Sequence, residues 1–164
     1  MRALSKYLNV HAILRLLLVA WISYTSAHPK IPSTNYLILL LVGGQGSGKS
    51  FLCNLLLRLI DPSKTGVQVL PKNVKDLAIS MQSSHLRCVD NTRTVSSTMS
   101  DYLCMTSTGG TLNTRRLYTD AEEQSLNLHG ALVINGIGNI VEQPDLHQRC
   151  LTIELQPIPE GQRK

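Results

Sequence analysis

Residues 36–60 restrict the fold of this chain more than any other stretch. Tyr36 to Val42 is apolar or aromatic at every position, and Phe51 to Ile60 carries apolar residues at helical spacing. Between them stand Gly43, Gly44, Gly46 and Gly48, followed by Lys49 and Ser50. A short run without polar alternation reads as a strand buried on both faces. A strand of that kind leading directly into a helix opens a βα unit, and such units assemble parallel sheets covered on both sides.

The junction has its own chemistry. Glycines permit positive φ and let the backbone approach an anion closely. Successive N–H groups can then point inward as a nest, and the first turn of the following helix adds unpaired N–H groups and the positive end of its dipole. Gly43 to Ser50 satisfies the phosphate-binding pattern G-x-x-x-x-G-K-[ST], with Gln45 and Ser47 among the free positions. The expectation is Mg·ATP bound across Gly43, Gly44, Gln45, Gly46, Ser47, Gly48, Lys49 and Ser50. Lys49 would bridge the β- and γ-phosphates, and the Ser50 hydroxyl would ligate Mg²⁺.

Further strands are expected at Val67–Leu70, Leu86–Val89, Ala131–Ile134 and Cys150–Leu155. Helices are expected over Pro71–Gln82 and Ser97–Ser107, with a short turn over Pro144–Gln148; Leu112–Tyr118 reads as a hairpin arm or an extended loop. The fold class is therefore α/β, a three-layer P-loop fold with a mainly parallel five-stranded sheet. Ligands of such sheets bind beyond the carboxyl ends of the strands. Residues 1–33 read as a helical segment and connector, 34–160 as the core and 161–164 as a tail.

The N-terminal segment has two readings. A basic start, an apolar stretch from Ala12 to Ile22 and Thr25-Ser26-Ala27 outline a secretory signal. Arg15 interrupts that stretch, and it is too short and too charged for a membrane span. The favoured alternative is a helix burying Ile13, Leu16, Leu17, Val19, Ala20 and Ile22. A cytoplasmic protein without a membrane partner is then expected.

The net charge of +5 and pI near 9.2 suit a polyanionic partner, although no long basic run is present. Cys53, Cys88, Cys104 and Cys150 share no C-x-x-C spacing and read as buried thiols.

Three further residues complete the candidate site. Asp90 ends an apolar run and would hold Mg²⁺ with Ser50. The next residue is Asn91, whose amide cannot act as the general base that a glutamate supplies, so nucleotide hydrolysis is left open. Asn135 ends the fourth strand and would orient a lytic water, the competing reading being a plain Asn135-Gly136 turn. Arg149 precedes the fifth strand and reads as an arginine finger for a neighbouring subunit, a surface charge, or a partner of Asp145. Arg115 and Arg116 read as part of a solvated loop, with contact to nucleic-acid phosphates as the functional alternative. Asp120, Glu122 and Glu123 form an acidic cluster read as a solvated helix start, the lesser alternative being that one of them replaces the missing glutamate beside Asp90.

In order along the chain, the loop, Leu59-Ile60-Asp61-Pro62, Val89-Asp90-Asn91, Leu103-Cys104, Thr108-Gly109-Gly110, Arg116-Leu117-Tyr118-Thr119-Asp120, Val133-Ile134-Asn135-Gly136-Ile137, Pro144-Asp145-Leu146 and Arg149 form a series. That series resembles bacterial and phage mobile-element ATP-binding proteins. These are ASCE-type P-loop ATPases related to AAA+ proteins and superfamily-three helicases, often found beside primase domains. The resemblance implies a helicase-like ATPase in DNA replication or maintenance of a mobile element, with catalytic roles for Lys49, Asn135 and Arg149. It also implies DNA, a primase or replication partner, and a homo-oligomer if the chain is an active motor. Departures include Gly44 where Glu is common, Leu112 and Asn113 in place of a more aromatic stretch, and no C-terminal lid. The alternatives are a non-hydrolysing nucleotide-binding or regulatory remnant, and a nucleotide kinase, for which the arginines are not suitably clustered.

Overall fold

β1 (Ile38–Val42) is hydrogen-bonded on both edges and buried from Ile38 to Leu41, as its unbroken apolar composition requires. It lies between β5 (Ala131–Gly136) and β6 (Cys150–Glu154), and β2 (Leu86–Thr92) adds to the far edge of β5, giving the order β2-β5-β1-β6. All three pairings are parallel. The computed structural model describes residues 9–158 and 161, apart from 29, 32, 63–65 and 116–122.

The fold is α/β with a mainly parallel sheet, but the sheet has four full strands where five were expected. Val67–Leu70 contributes a single parallel bridge, Gln68 with Val89, alongside β2. Pro71 supplies no N–H to extend that ladder, and Val69 is 75% exposed, so no buried face holds a longer strand there.

Alternation along β1 feeds two cores. Leu39 and Leu41 meet α1 (Ala12–Ala27) and α2 (Lys49–Ile60) through Leu18, Trp21, Leu52 and Leu56. Ile38 and Leu40 meet the opposite layer, α3 (Val74–Gln82), α4 (Ser97–Thr108) and α5 (Pro144–Gln148). That layer also holds an antiparallel hairpin, β3 (Gly110–Arg115) with β4 (Glu123–Leu128), anchored by Leu126 and Leu128. The hairpin was one of two readings of this region. Glu123 opens a strand instead of a helix; Arg116, Asp120 and Glu122 lie outside the described residues.

α1 forms over the expected segment and includes Thr25-Ser26-Ala27 in its last turn. Its buried face differs from the expected one. Leu18, Trp21, Ile22 and Thr25 point inward, whereas Ile13, Leu16 and Leu17 are 62%, 55% and 41% exposed. Trp21 decides the rotation: its ring is buried and its Nε1–H donates to the Leu37 carbonyl at 2.7 Å. No helix among the described residues is long and apolar enough to cross a membrane.

Arg87 is a buried cation that the strand pattern alone did not explain. Its guanidinium donates to the Ser80 carbonyl, the Ser83 hydroxyl and the Gln68 side-chain oxygen, tying the end of α3 and the bridging segment to β2. Burial lowers its pKa, and the Asp61 carboxylate opposes that effect. Asp61 in turn accepts from the N–H groups of His85 and Leu86 at the start of β2.

β5 and β2 approach very closely at their carboxyl ends. The register shifts between Val89 and Thr92, and Asn91 has φ 56°. A Cβ on Gly136 would lie 2.0 Å from the Thr92 carbonyl oxygen, so glycine is required there by backbone contact. Gly136→Ala should lower stability by about 1–3 kcal/mol, the usual range for an overpacked site. Gly66→Ala, with open space around it, is the control. Urea unfolding of the two variants checks this, and equal midpoints would contradict it.

Candidate functional site

The Gly43–Ser50 loop leaves the carboxyl end of β1 and returns into α2. Gly46 and Gly48 have φ 75° and 84°, in the left-handed region that favours glycine. Gly43 is required for a second reason, close approach. A Cβ there would lie 2.4 Å from the Leu155 carbonyl oxygen and 2.8 Å from the Ser47 hydroxyl.

The loop is held from inside. The Ser47 hydroxyl, almost fully buried, donates to the Gly44 carbonyl at 2.9 Å. Lys49 Nζ folds back over the loop and donates to the carbonyls of Gly43 and Gly44, each at 2.8 Å, and to Ser47 Oγ at 3.3 Å. Desolvation lowers the Lys49 pKa, and the nearby Asp90 carboxylate opposes the shift. The segment after β6 closes over the loop from outside: the Leu155 N–H donates to the Val42 carbonyl, and the Ile158 N–H to the Gly46 carbonyl. No local sequence signal marks this cover.

A cleft of about 470 Å³ opens beside the loop. Lys49 and Ser50 line it together with Asp90 and Asn91 from β2 and Asn135 from β5. The register explains the convergence, since Asn135 pairs with Leu41 and Gly136 with Val42, the last two residues of β1. Asn135-Gly136 is therefore strand, not a turn. Asn135 is 1% exposed, and its Nδ2 donates to the Cys53 sulfur at 3.5 Å. Asp90 Oδ1 accepts the Asn91 N–H at 2.6 Å.

Phe51 and Ile137 also line the cleft and were not singled out from sequence; they are 53% and 61% exposed. The available signal was an aromatic residue immediately after Lys49-Ser50.

Arg149 does not join this group. It caps α5, its carbonyl accepts the Ile38 N–H, and its Nη1 donates to the Asp145 carbonyl at 2.8 Å. Ile38 begins β1, so Arg149 stands at the opposite edge of the sheet from the loop. Arg115 ends β3, a strand of the separate two-stranded hairpin.

The donor set suits a phosphate with a divalent cation. Gly48 at the N-cap of α2 brings no side-chain hydrogen bond to its first turn, the end of a helix that suits an anion. One ammonium is at hand, and one hydroxyl and one carboxylate supply hard oxygen ligands. Among the described residues no group of three or more His, Cys, Asp or Glu side chains is placed to hold a metal by itself.

All four cysteines are free thiols. Cys53 and Cys88 are buried beneath the loop, while Cys104 and Cys150 are half-buried. The Cys53–Cys88 hydrogen bond, together with burial, raises the Cys88 pKa, and burial pushes Cys150 up to about 12 and Cys104 upward; the same bond lowers the Cys53 pKa, but that thiol is fully buried and closed to reagent. A raised thiol pKa lowers the thiolate fraction at neutral pH. The native protein should therefore react slowly with an aromatic disulfide reagent at pH 8, and the urea-unfolded chain should release four equivalents at once. Rapid reaction of two or more native thiols would contradict this packing.

A family model described as actinomycete integrative conjugative element replication protein matches residues 3–163. No curated protein matches the chain. Among solved structures, the apo A form of the NrS-1 C-terminal region is similar, with TM-score 0.53 and 17% identity, covering 91% of this chain and 38% of that one. A JCV helicase bound to a substituted acetamide gives TM-score 0.47 and 17% identity, covering 92% of this chain and 47% of that one. The chain thus spans less than half the length of either structure.

Proposed function

The chain belongs to the actinomycete integrative conjugative element replication protein family, and from that premise we propose that it is a Mg·ATP-binding P-loop domain of ASCE type. In this reading it is a helicase-like ATPase serving DNA replication of the mobile element, in the cytoplasm. One observation carries the proposal. Lys49, Ser50, Asp90 and Asn135, drawn from three strand ends, line a single cleft. The order of the strands supports the ASCE assignment, because β5 is inserted between the loop strand and the Asp90 strand.

Each residue then has a defined task. The loop N–H groups and the first turn of α2 bind the phosphates. Lys49 exchanges its bonds to the Gly43 and Gly44 carbonyls for phosphoryl oxygens. Ser50 and Asp90 would hold Mg²⁺, which when bound neutralises charge on the β- and γ-phosphates. Asn135 orients the attacking water with its amide. Arg149, at the far edge of its own sheet, reaches a nucleotide only from a neighbouring copy, so an active motor is a homo-oligomer. Strand register places Arg115 opposite Glu123 at the connecting end of the β3–β4 hairpin. With Arg116 it forms the candidate contact to DNA phosphates. A primase or other replication protein is the expected partner.

Asn91 favours a second reading, a domain that binds nucleotide without turning it over. The amide cannot serve as a base. Its left-handed backbone, φ 56°, also favours Asn over Glu at that position.

Loss of charge-assisted hydrogen bonds at Lys49 should cost about 1.5–3 kcal/mol of ATP binding. Lys49→Ala should therefore weaken binding by about 10- to 100-fold in titration calorimetry. Asp90→Asn should reduce the Mg²⁺ dependence of binding more than the binding of free ATP. DNA-stimulated phosphate release that disappears in Lys49→Ala supports the motor. Tight Mg·ATP binding without release, with or without DNA, would leave the regulatory reading. Phosphoryl transfer to an added nucleoside monophosphate would instead identify a kinase.

A further inference from the structure

A second cleft, of about 440 Å³, adjoins the first, and Asp90 and Asn91 line both. It falls within the range of about 300–1,000 Å³ typical of small-ligand sites. The Gln68 bridge supplies one wall, because it holds Val69, Leu70 and Pro71 beside the carboxyl end of β2. The residues immediately after the Asp90–Asn91 bulge supply the other.

Three features of this cleft point to a ligand. First, Thr92 lines it and is 6% exposed, and its buried hydroxyl has no hydrogen-bond partner. A buried hydroxyl left unpaired is destabilising, so a partner supplied from outside would compensate it. Second, two exposed cations, Lys72 and Arg93, stand on its rim against the single carboxylate of Asp90. Third, the wall is apolar, and Val69 is left 75% exposed by folding. Cations and a hydroxyl beside an apolar wall match an anionic group attached to a flat, weakly polar ring.

We propose that this cleft binds a second nucleotide unit, with its phosphate on Lys72, Arg93 and the Thr92 hydroxyl and its base against Val69, Leu70 and Pro71. The unit is either a free mononucleotide or one link of a single strand; the chemistry recognised is the same. Asp90 and Asn91 form the partition between this unit and the Gly43–Ser50 cradle. The inference does not require the cradle to bind ATP.

Lys49→Ala removes the cradle's ammonium and leaves the second cleft intact, so binding is measured in that background. Labelled AMP and a labelled oligo-dT are titrated by fluorescence anisotropy at 50 and 200 mM salt. At least one of the two should bind, and Lys72→Glu/Arg93→Glu should weaken it tenfold or more. For the oligonucleotide, the loss of two phosphate contacts should flatten the log–log salt slope by about 1.4, at about 0.7 per contact. Thr92→Val changes no charge and should still weaken binding about three- to tenfold. Binding of AMP assigns the site to a free nucleotide, and binding of oligo-dT alone to a strand. Failure of both ligands to bind, or binding unaffected by the paired reversal or by Thr92→Val, would overturn the proposal. ATP binding retained by Lys72→Glu/Arg93→Glu in the otherwise unaltered chain verifies its fold. Failure of the unaltered chain to bind ATP would count against the cradle alone.

Discussion

The structure depends on β1 having no free edge and no free face. Its neighbours β5 and β6 satisfy the backbone groups along both sides, and apolar layers cover Leu39 and Leu41 on one face and Ile38 and Leu40 on the other. A strand enclosed in that way has nowhere to slide, since a shift of one residue would exchange its two faces. The point where the chain leaves the sheet at Val42 is therefore fixed. Parallel pairing then brings Asn135 and Gly136 to the same level, and the next strand out brings Asp90. The cleft follows from the register of strands that are themselves apolar.

Two strained or crowded places lie at that edge. The loop uses left-handed glycines and is tied down by Lys49, whose ammonium occupies the carbonyls it would have to leave to meet a phosphate. The end of β2 is bulged where Asn91 takes a positive φ and Gly136 lies against the Thr92 carbonyl. The bulge gives Asn91 a backbone role as well as a chemical one. It also presents Asp90 and Asn91 to both clefts, because the extra residue turns the strand end outward from the sheet.

Much of the fold was legible from short apolar runs. β1, β2, β5 and β6 all formed close to their expected limits; the buried parallel strands β1 and β5 leave a continuous apolar signature, and the shorter apolar runs of β2 and of the half-buried edge strand β6 were enough to mark them. The same signature failed at Val67–Leu70, where an apolar run next to Pro71 makes one bridge and stays largely in water. It failed again on α1, where apolar residues surround the helix and periodicity could not choose the inward face. Trp21, through its ring and its bond to Leu37, made that choice. The hairpin remained ambiguous because Gly110 to Arg115 is mostly polar, and its inward residues, Leu126 and Leu128, belong to the returning strand.

By itself, the order of residues determined the local chemistry: a glycine-rich turn with Lys49 and Ser50 between a buried strand and a helix, and an acid or amide at the ends of two other apolar runs. These are properties of residue type and short spacing, which are written along the chain. Tertiary structure decided which of those residues share a space. It joined Asp90 and Asn135 to the loop and left Arg149 at the opposite edge. It also carried residues 155–158 back over Gly43 and opened a second cleft whose walls lie about twenty residues apart. Strand order and register make those assignments through hydrogen bonds between distant segments, and no local pattern encodes them.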